Sequence, residues 1–173
     1  RATRMKATVV SLPLASFPEY LAGLDDGATL LADGGEALLR RPGATVLDRV
    51  GLRTQGSHRT AVVGGTHHAY VADYDVEIAE KSFIGNPITQ SWLEGVSFDV
   101  AAEPAAGGAA VWCEVRFERS VVRGRRVVST RFGGIECPSV GLERIRGSCT
   151  LPLGATRIVG ASLEDGRVTL VLV

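Results

Sequence analysis

Three histidines, His58, His67 and His68, precede Asp73, Asp75 and Glu77, and these are the residues whose types come nearest to metal or acid–base chemistry. Imidazole and carboxylate groups ligate zinc and serve as general acids and bases. Their spacing argues against a shared ion. Along a strand His67 and His68 point to opposite faces, and no third ligand follows at a recognised interval. Asp73, Asp75 and Glu77 do share a face, where carboxylates and loop carbonyls suit calcium, but an acidic solvent-facing stripe is the simpler expectation. Arg116, Arg119, Arg123, Arg125, Arg126 and Arg131 crowd one stretch against only Glu114 and Glu118. Such a basic patch suits a solvated hairpin tip, a contact with an acidic surface such as Asp73, Asp75 and Glu77 on a neighbouring subunit, or lipid headgroups. Nucleic acid is not expected there, because Phe117 and Phe132 form no stacking platform at a known spacing.

The remaining chemical motifs are excluded one by one. "GGTHH" and "FGGIE" lack both the Lys-Ser/Thr of a phosphate loop and the G-x-G-x-x-G spacing. Ser91, Ser97 and Ser120 sit in no nucleophile elbow, and His and Asp follow in no triad order. Cys113, Cys137 and Cys149 have no ligand spacing, and their odd number leaves at least one thiol free or paired between chains. Cys113 and Cys149 fall on the apolar side of alternating runs, as buried small residues do, and a disulfide stays open. The expectation is no catalytic, cofactor-binding or metal-binding residue, hence no enzyme.

The elements that carry these residues are mostly strands. Hydrophobic residues make up 45% of the 173 and charged ones 22%, which is the composition of a folded globular chain. No apolar run approaches the about 18 residues of a spanning helix. Lys+Arg and Asp+Glu both total 19, so net charge selects neither nucleic acid nor anionic lipid. The opening "RATRMK" has no Met at position 1 and no apolar leader, as in a processed product. "MKATVVSLPL" reads as a strand stopped by Pro13, and Ser16 caps an expected short helix over "FPEYLAGL". Gly-rich breaks then alternate with apolar runs, and "GGEALLRR" allows a helical turn or two. Residues 1–70 are expected to form a small α/β lobe and 71–173 a β domain.

In that second part Val96, Phe98 and Val100 point one way, as do Val111, Cys113, Val115 and Phe117, with Trp112, Glu114, Arg116 and Glu118 opposite. Pro87 is expected to interrupt a link, "PAAGGAA" to be a hairpin loop, and "RGRR" around Gly124 a tight turn before "RVVSTRF" returns. "LPLGAT" and "EDG" are turns between the last strands. The fold class expected is mainly β, β-rich α+β: a small α/β lobe followed by an antiparallel meander able to form an oligomeric barrel or ring.

Four pieces in this order, "GATVLDRVGLRTQGSHRTAVVGGTHHAYVADYDVEI", "GNPITQSWLEGVSFDVAAEPAAGGAAVWCEVRFE", "CPSVGLERIRGSCTLPLGATRIVGAS" and "VTLVLV", resemble the C-terminal homology domain of bacterial secretins. These are the outer-membrane rings of type II and III secretion and of type IV pili. The resemblance covers roughly residues 44–173; a "PLLGDIPLLG"-like gate segment is missing after the "LPLG" strand. It implies a structural subunit, pairing strands with copies of itself in a homo-oligomeric ring in the outer membrane or periplasm, alongside other envelope secretion or pilus components. From the residues themselves, Arg116, Arg119, Arg123, Arg125, Arg126 and Arg131, with Asp73, Asp75 and Glu77, are the expected subunit or partner contacts, ranked behind a solvated hairpin tip. The alternative is a monomeric β-sandwich binding module using the Arg116–Arg131 hairpin; a metal-dependent hydrolase using His67 or His68 comes a distant third.

Overall fold

The computed structural model describes residues 2–17, 30–31, 35–55, 58–79 and 82–173. The fold is mainly β, as the alternation and β-branched content require. Its strands are β1 (Ala2–Pro13), β2 (Leu30–Leu31), β3 (Thr45–Gln55), β4 (Arg59–Ala79), β5 (Ser82–Pro104), β6 (Ala110–Thr130), β7 (Gly133–Pro152), β8 (Thr156–Glu164) and β9 (Arg167–Leu172). One helical turn, α1 (Glu36–Leu39), forms in "GGEALLRR". The helix expected at "FPEYLAGL" lies, beyond Phe17, outside the described residues; before it, Leu14–Ser16 is a 3-10 turn.

Two sheets result, one in the order β2-β8-β9-β1-β3 and one in the order β4-β5-β6-β7. In the first, β1 pairs antiparallel with β3 and β9, and β8 with β9. The register shifts between Val9 and Val10, and Val9 to Leu12 are all buried, so both faces of β1 are covered there. The second sheet is a meander of neighbouring antiparallel strands, with residues 105–109 joining β5 to β6 and a turn at Arg131–Phe132 joining β6 to β7.

The chain divides into two compact units: Arg1–Val63, Ser97–Glu118 and Glu143–Val173 make the first, Gly64–Val96 and Arg119–Leu142 the second. The first unit has a layered core. Strand β9 reads "RVTLVL" and is buried at every position from Val168 to Leu172, so both of its faces are covered. On one face Val168, Leu170 and Leu172 pack with Val10, Leu12, Phe17, Leu31, Leu38 and Ile158. On the other, Thr169 Oγ1 and, from β8, Ser162 Oγ donate to Glu143 Oε1 of β7 at 3.0 and 3.2 Å, and Gly160 lies under Ile145. The expected apolar faces are the buried ones: Phe98, Val100, Val111, Cys113, Val115 and Phe117 are all buried. Each such Val or Phe contributes about 1.5–3 kcal/mol by leaving water.

Two turn expectations need correction. Gly124 lies inside β6, which runs on to Thr130, so the hairpin turns at Arg131–Phe132 and not at "RGRR". Likewise β5 runs unbroken through Pro87, losing one ladder donor in a strand of 23 residues. The turns at residues 105–109, Leu153–Gly154 and Asp165–Gly166 fall where the sequence signals them.

Candidate functional site

Strands β4, β5, β6 and β7 contain 21, 23, 21 and 20 residues, against the about 3–10 usual in globular proteins. The last part of β4 and of β6 and the first part of β5 and of β7 make up the second unit, and among its described residues not one side chain is buried. It is a single-layer sheet. Nothing hydrophobic underneath holds it, so its order rests on backbone ladders and on side chains that reach from strand to strand.

One such set crosses all four strands. From β4, His68 stacks on Trp92 of β5 with ring centroids 5.2 Å apart, and Tyr70 meets the same ring at 4.8 Å. The Arg125 guanidinium of β6 lies 5.6 Å from the Trp92 centroid and reaches Glu136 of β7 at 3.0 Å. Tyr70 also donates to Gln90 Oε1 at 2.8 Å. The column runs from one sheet edge to the other.

Beside it, Glu94 of β5 ties its two neighbours together. Its Oε2 lies 2.9 Å from His68 Nε2, and its Oε1 accepts the Val122 backbone N–H of β6 at 3.0 Å. The Glu94 carboxyl is held below the ordinary carboxylate range, first by the Val122 N–H, against partial desolvation, and then by His68 and Arg119. The backbones of β4 and β5 approach closely where Gly65 faces Gly95, so that a Cβ on either would collide with the other strand, and Gly95 adopts φ 155°, a value that favours glycine.

A third set lies where β6 turns into β7. Arg131 sits 4.6 Å from the centroids of both Phe83 and Phe132, and Tyr74 stands 6.1 Å from Phe132. Gly85 leaves the space that Phe132 fills, 2.6 Å from where a Cβ would be, and Gly133 does the same for the Tyr74 hydroxyl. Around these rings the sheet exposes apolar surface, with Ile78 at 76%, Val127 at 58% and Ile84 at 53%. Scattered exposed apolar residues are ordinary, whereas their concentration on one sheet is a feature that surfaces meeting a partner share.

In the first unit the polar face of β4 to β7 carries ion pairs. Arg59 reaches Asp99 at 3.1 Å and Glu114 at 2.9 Å, Arg116 contacts the other Glu114 oxygen at 2.9 Å, and Arg144 pairs with Glu118 at 2.8 Å. Arg116 first, and then Arg59, keep the Glu114 carboxyl below the ordinary range against partial desolvation. The same unit has a cleft of about 360 Å³ lined by Thr3–Lys6, Val111, Leu151–Thr156 and Val173, with no His, Cys, Asp or Glu in its lining.

The expected contact residues fall in both units. Arg116 belongs to the first unit, while Arg119, Arg123, Arg125, Arg126 and Arg131 belong to the second. Arg123 lies against Gly141, and Arg126 is exposed. Asp73, Asp75 and Glu77 are exposed on β4, with Asp73 Oδ1 accepting the Tyr74 N–H at 2.8 Å. Of the histidines, His67 is exposed, His58 accepts a hydrogen bond from Thr54 Oγ1 through its carbonyl, and His68 joins the aromatic column. No group of three or more His, Cys, Asp and Glu stands close enough to hold a metal among the described residues. Trp92, Glu94 and Gly95 were missed by sequence reasoning; a Trp-x-Glu-Gly inside a β-branched run, with a charge where a strand wants none, was the available signal.

Comparison with known protein families, with curated proteins and with solved structures finds no match for this chain.

Proposed function

We propose that the protein is a structural subunit that assembles with copies of itself, edge to edge, into a closed secretin-like ring or barrel. The observation that carries this reading is the single-layer second unit, bounded by β4 and β7 and holding no buried residue among those described. An edge strand offers a row of unpaired N–H and C=O groups, and natural monomers shorten, cover or charge such edges. Here both edge strands are about twice the usual length. Pairing β7 of one copy with β4 of the next satisfies both rows at once, and a head-to-tail contact of this kind closes when the rotation between copies divides a full turn. Closure also gives the exposed Val, Ile and Phe residues a lipid or second-wall surface to face.

With the resemblance to secretins, the proposed role of the protein is that of a non-catalytic part of a secretion or pilus-type channel in a bacterial cell envelope, at the outer membrane or periplasm. Its partners are copies of itself and other envelope components. The test is native mass by light scattering in mild detergent. A species at many multiples of 18.2 kDa is expected. Proline at Thr66 and, separately, at Ala69 covers both directions of the β4 N–H groups, so at least one variant keeps its circular dichroism and loses the assembly. A clean monomer at every concentration overturns the reading and leaves a β-rich binding module with the Arg116–Arg131 strand as its contact surface.

A further inference from the structure

Two of the three thiols meet in the first unit. Cys113 lies on β6 and is fully buried; Cys149 lies on the neighbouring strand β7 and is half-buried, and their sulfurs are 3.5 Å apart. Both side chains point to the apolar side of the sheet, in the same row as Val111 and Val115. Facing residues on neighbouring antiparallel strands hold their Cβ atoms about 4.5–5.5 Å apart, close to the about 3.5–4.5 Å a disulfide needs. A small approach of two strands closes the difference.

The environment separates the two sulfurs chemically. A hydrogen bond from Cys113, and then the Arg157 guanidinium of β8, bring the Cys149 thiol down to about 7 against its partial burial. The same contact and deeper burial push Cys113 up. The thiolate of the pair therefore resides on Cys149, the sulfur that solvent reaches. Cys137, on the same strand but exposed and in the second unit, has neither neighbour.

We propose that Cys113 and Cys149 form a redox-active pair that closes into a disulfide between β6 and β7, with a protein or low-molecular-weight disulfide as oxidant. The Cys149 thiolate attacks one sulfur of the oxidant, its S–S bond breaks, and one thiolate leaves. The Cys113 sulfur then displaces the second half from Cys149 while its proton passes to a departing thiolate. Two electrons move to the oxidant: one dithiol and one disulfide become one disulfide and two thiols. The bond closes a covalent loop over residues 114–148, which contains all of the second unit's share of β6 and β7. It draws on the first unit's geometry alone and stands whether or not the edges of the sheet recruit other copies.

The full chain, equilibrated in oxidised glutathione, then acid-quenched and alkylated, gives the test. Intact mass is expected to fall by two hydrogens at this pair, non-reducing digestion to yield one linked peptide pair containing Cys113 and Cys149, and Cys137 to appear alkylated or glutathionylated. In a Cys137→Ser background, alkylation of the reduced protein should begin at Cys149, rising through half-maximum near pH 7. Cys113→Ser should trap a stable glutathione adduct on Cys149. Should that core variant not fold, Cys149→Ser should leave Cys113 unreactive in the native protein. Recovery of Cys113 and Cys149 both alkylated from folded protein, a glutathione adduct persisting on Cys149 in the wild-type chain, or a linkage through Cys137 overturns the proposal.

Discussion

The same four strands behave as two materials. Between Ser97 and Glu118 the β5–β6 hairpin has one face packed into a core in which Phe98, Val100, Cys113, Val115 and Phe117 are at most 1% exposed. Between Gly64 and Val96, and again between Arg119 and Leu142, the strands carry no buried side chain among the described residues. Hydrophobic burial dominates the free energy of folding, and an isolated single-layer sheet has little of it to set against the entropy of ordering its residues. Length alone does not stabilise a strand. The second unit relies on cross-strand contacts of about 0.2–1 kcal/mol each.

The sharpest break in that comparison comes from removing one large ring in each region. Phe117→Ala should cost about 3–5 kcal/mol in chemical denaturation, because it empties a packed core. Trp92→Ala should cost about 1 kcal/mol in the isolated chain, since the ring meets His68, Tyr70 and Arg125 across the sheet and is not packed into a core. Equal costs would mean that the second unit has a core after all.

A smaller effect is expected at the glycine crossing. Gly95→Ala introduces a side chain where φ is 155° and the Gly64–Gly65 backbone already touches. It should cost about 1–3 kcal/mol locally. Hydrogen exchange should report the loss in residues 64–70 and 90–96 while β1 and β9 stay protected; loss of protection in both units together would show that they unfold as one.

The smallest effect is electrostatic. Because the native state holds the Glu94 carboxyl below its ordinary range, the contribution is complete above the unfolded value of about 4.3 and disappears as pH falls through the lower folded value. Acid titration followed by the Val122 amide resonance should show a transition below the ordinary carboxylate range, which Glu94→Gln abolishes. A transition at or above the ordinary value would remove Glu94 as the tie between β4 and β6.

How far the sequence could be read follows the same division. Val111, Cys113, Val115 and Phe117 alternate with Trp112, Glu114 and Arg116 because one face of β6 is dry and the other wet, and that contrast writes period two into the chain. Beyond Arg119 both faces meet solvent, the contrast ends, and "RSVVRGRRVVST" keeps only its β-branched content. A turn was therefore expected at Gly124, six residues before the strand stops at Thr130. The Glu94–His68 tie and the Cys113–Cys149 contact were illegible for a different reason: each depends on the register between strands, and a spacing along one chain does not encode it. Composition exposed the arginine cluster, but only the register sorted Arg125 onto Trp92 and Arg131 between two phenylalanines.

The seam between β1 and β9 sets an order of events during folding. Thr8 pairs with Leu172 and Pro13 with Arg167, so the middle of the five-stranded sheet joins segments more than 150 residues apart in the chain. Contacts this distant in sequence form slowly, because a long loop must close before they repay it. On a ribosome, β4 to β7 emerge before β8 and β9. Their meander needs only local hairpins, while the layer that covers its first-unit face waits for β8 and β9. During that interval the five-stranded sheet is incomplete, and apolar rows such as Phe98, Val100, Val115 and Phe117 are the kind of surface through which partly made chains aggregate.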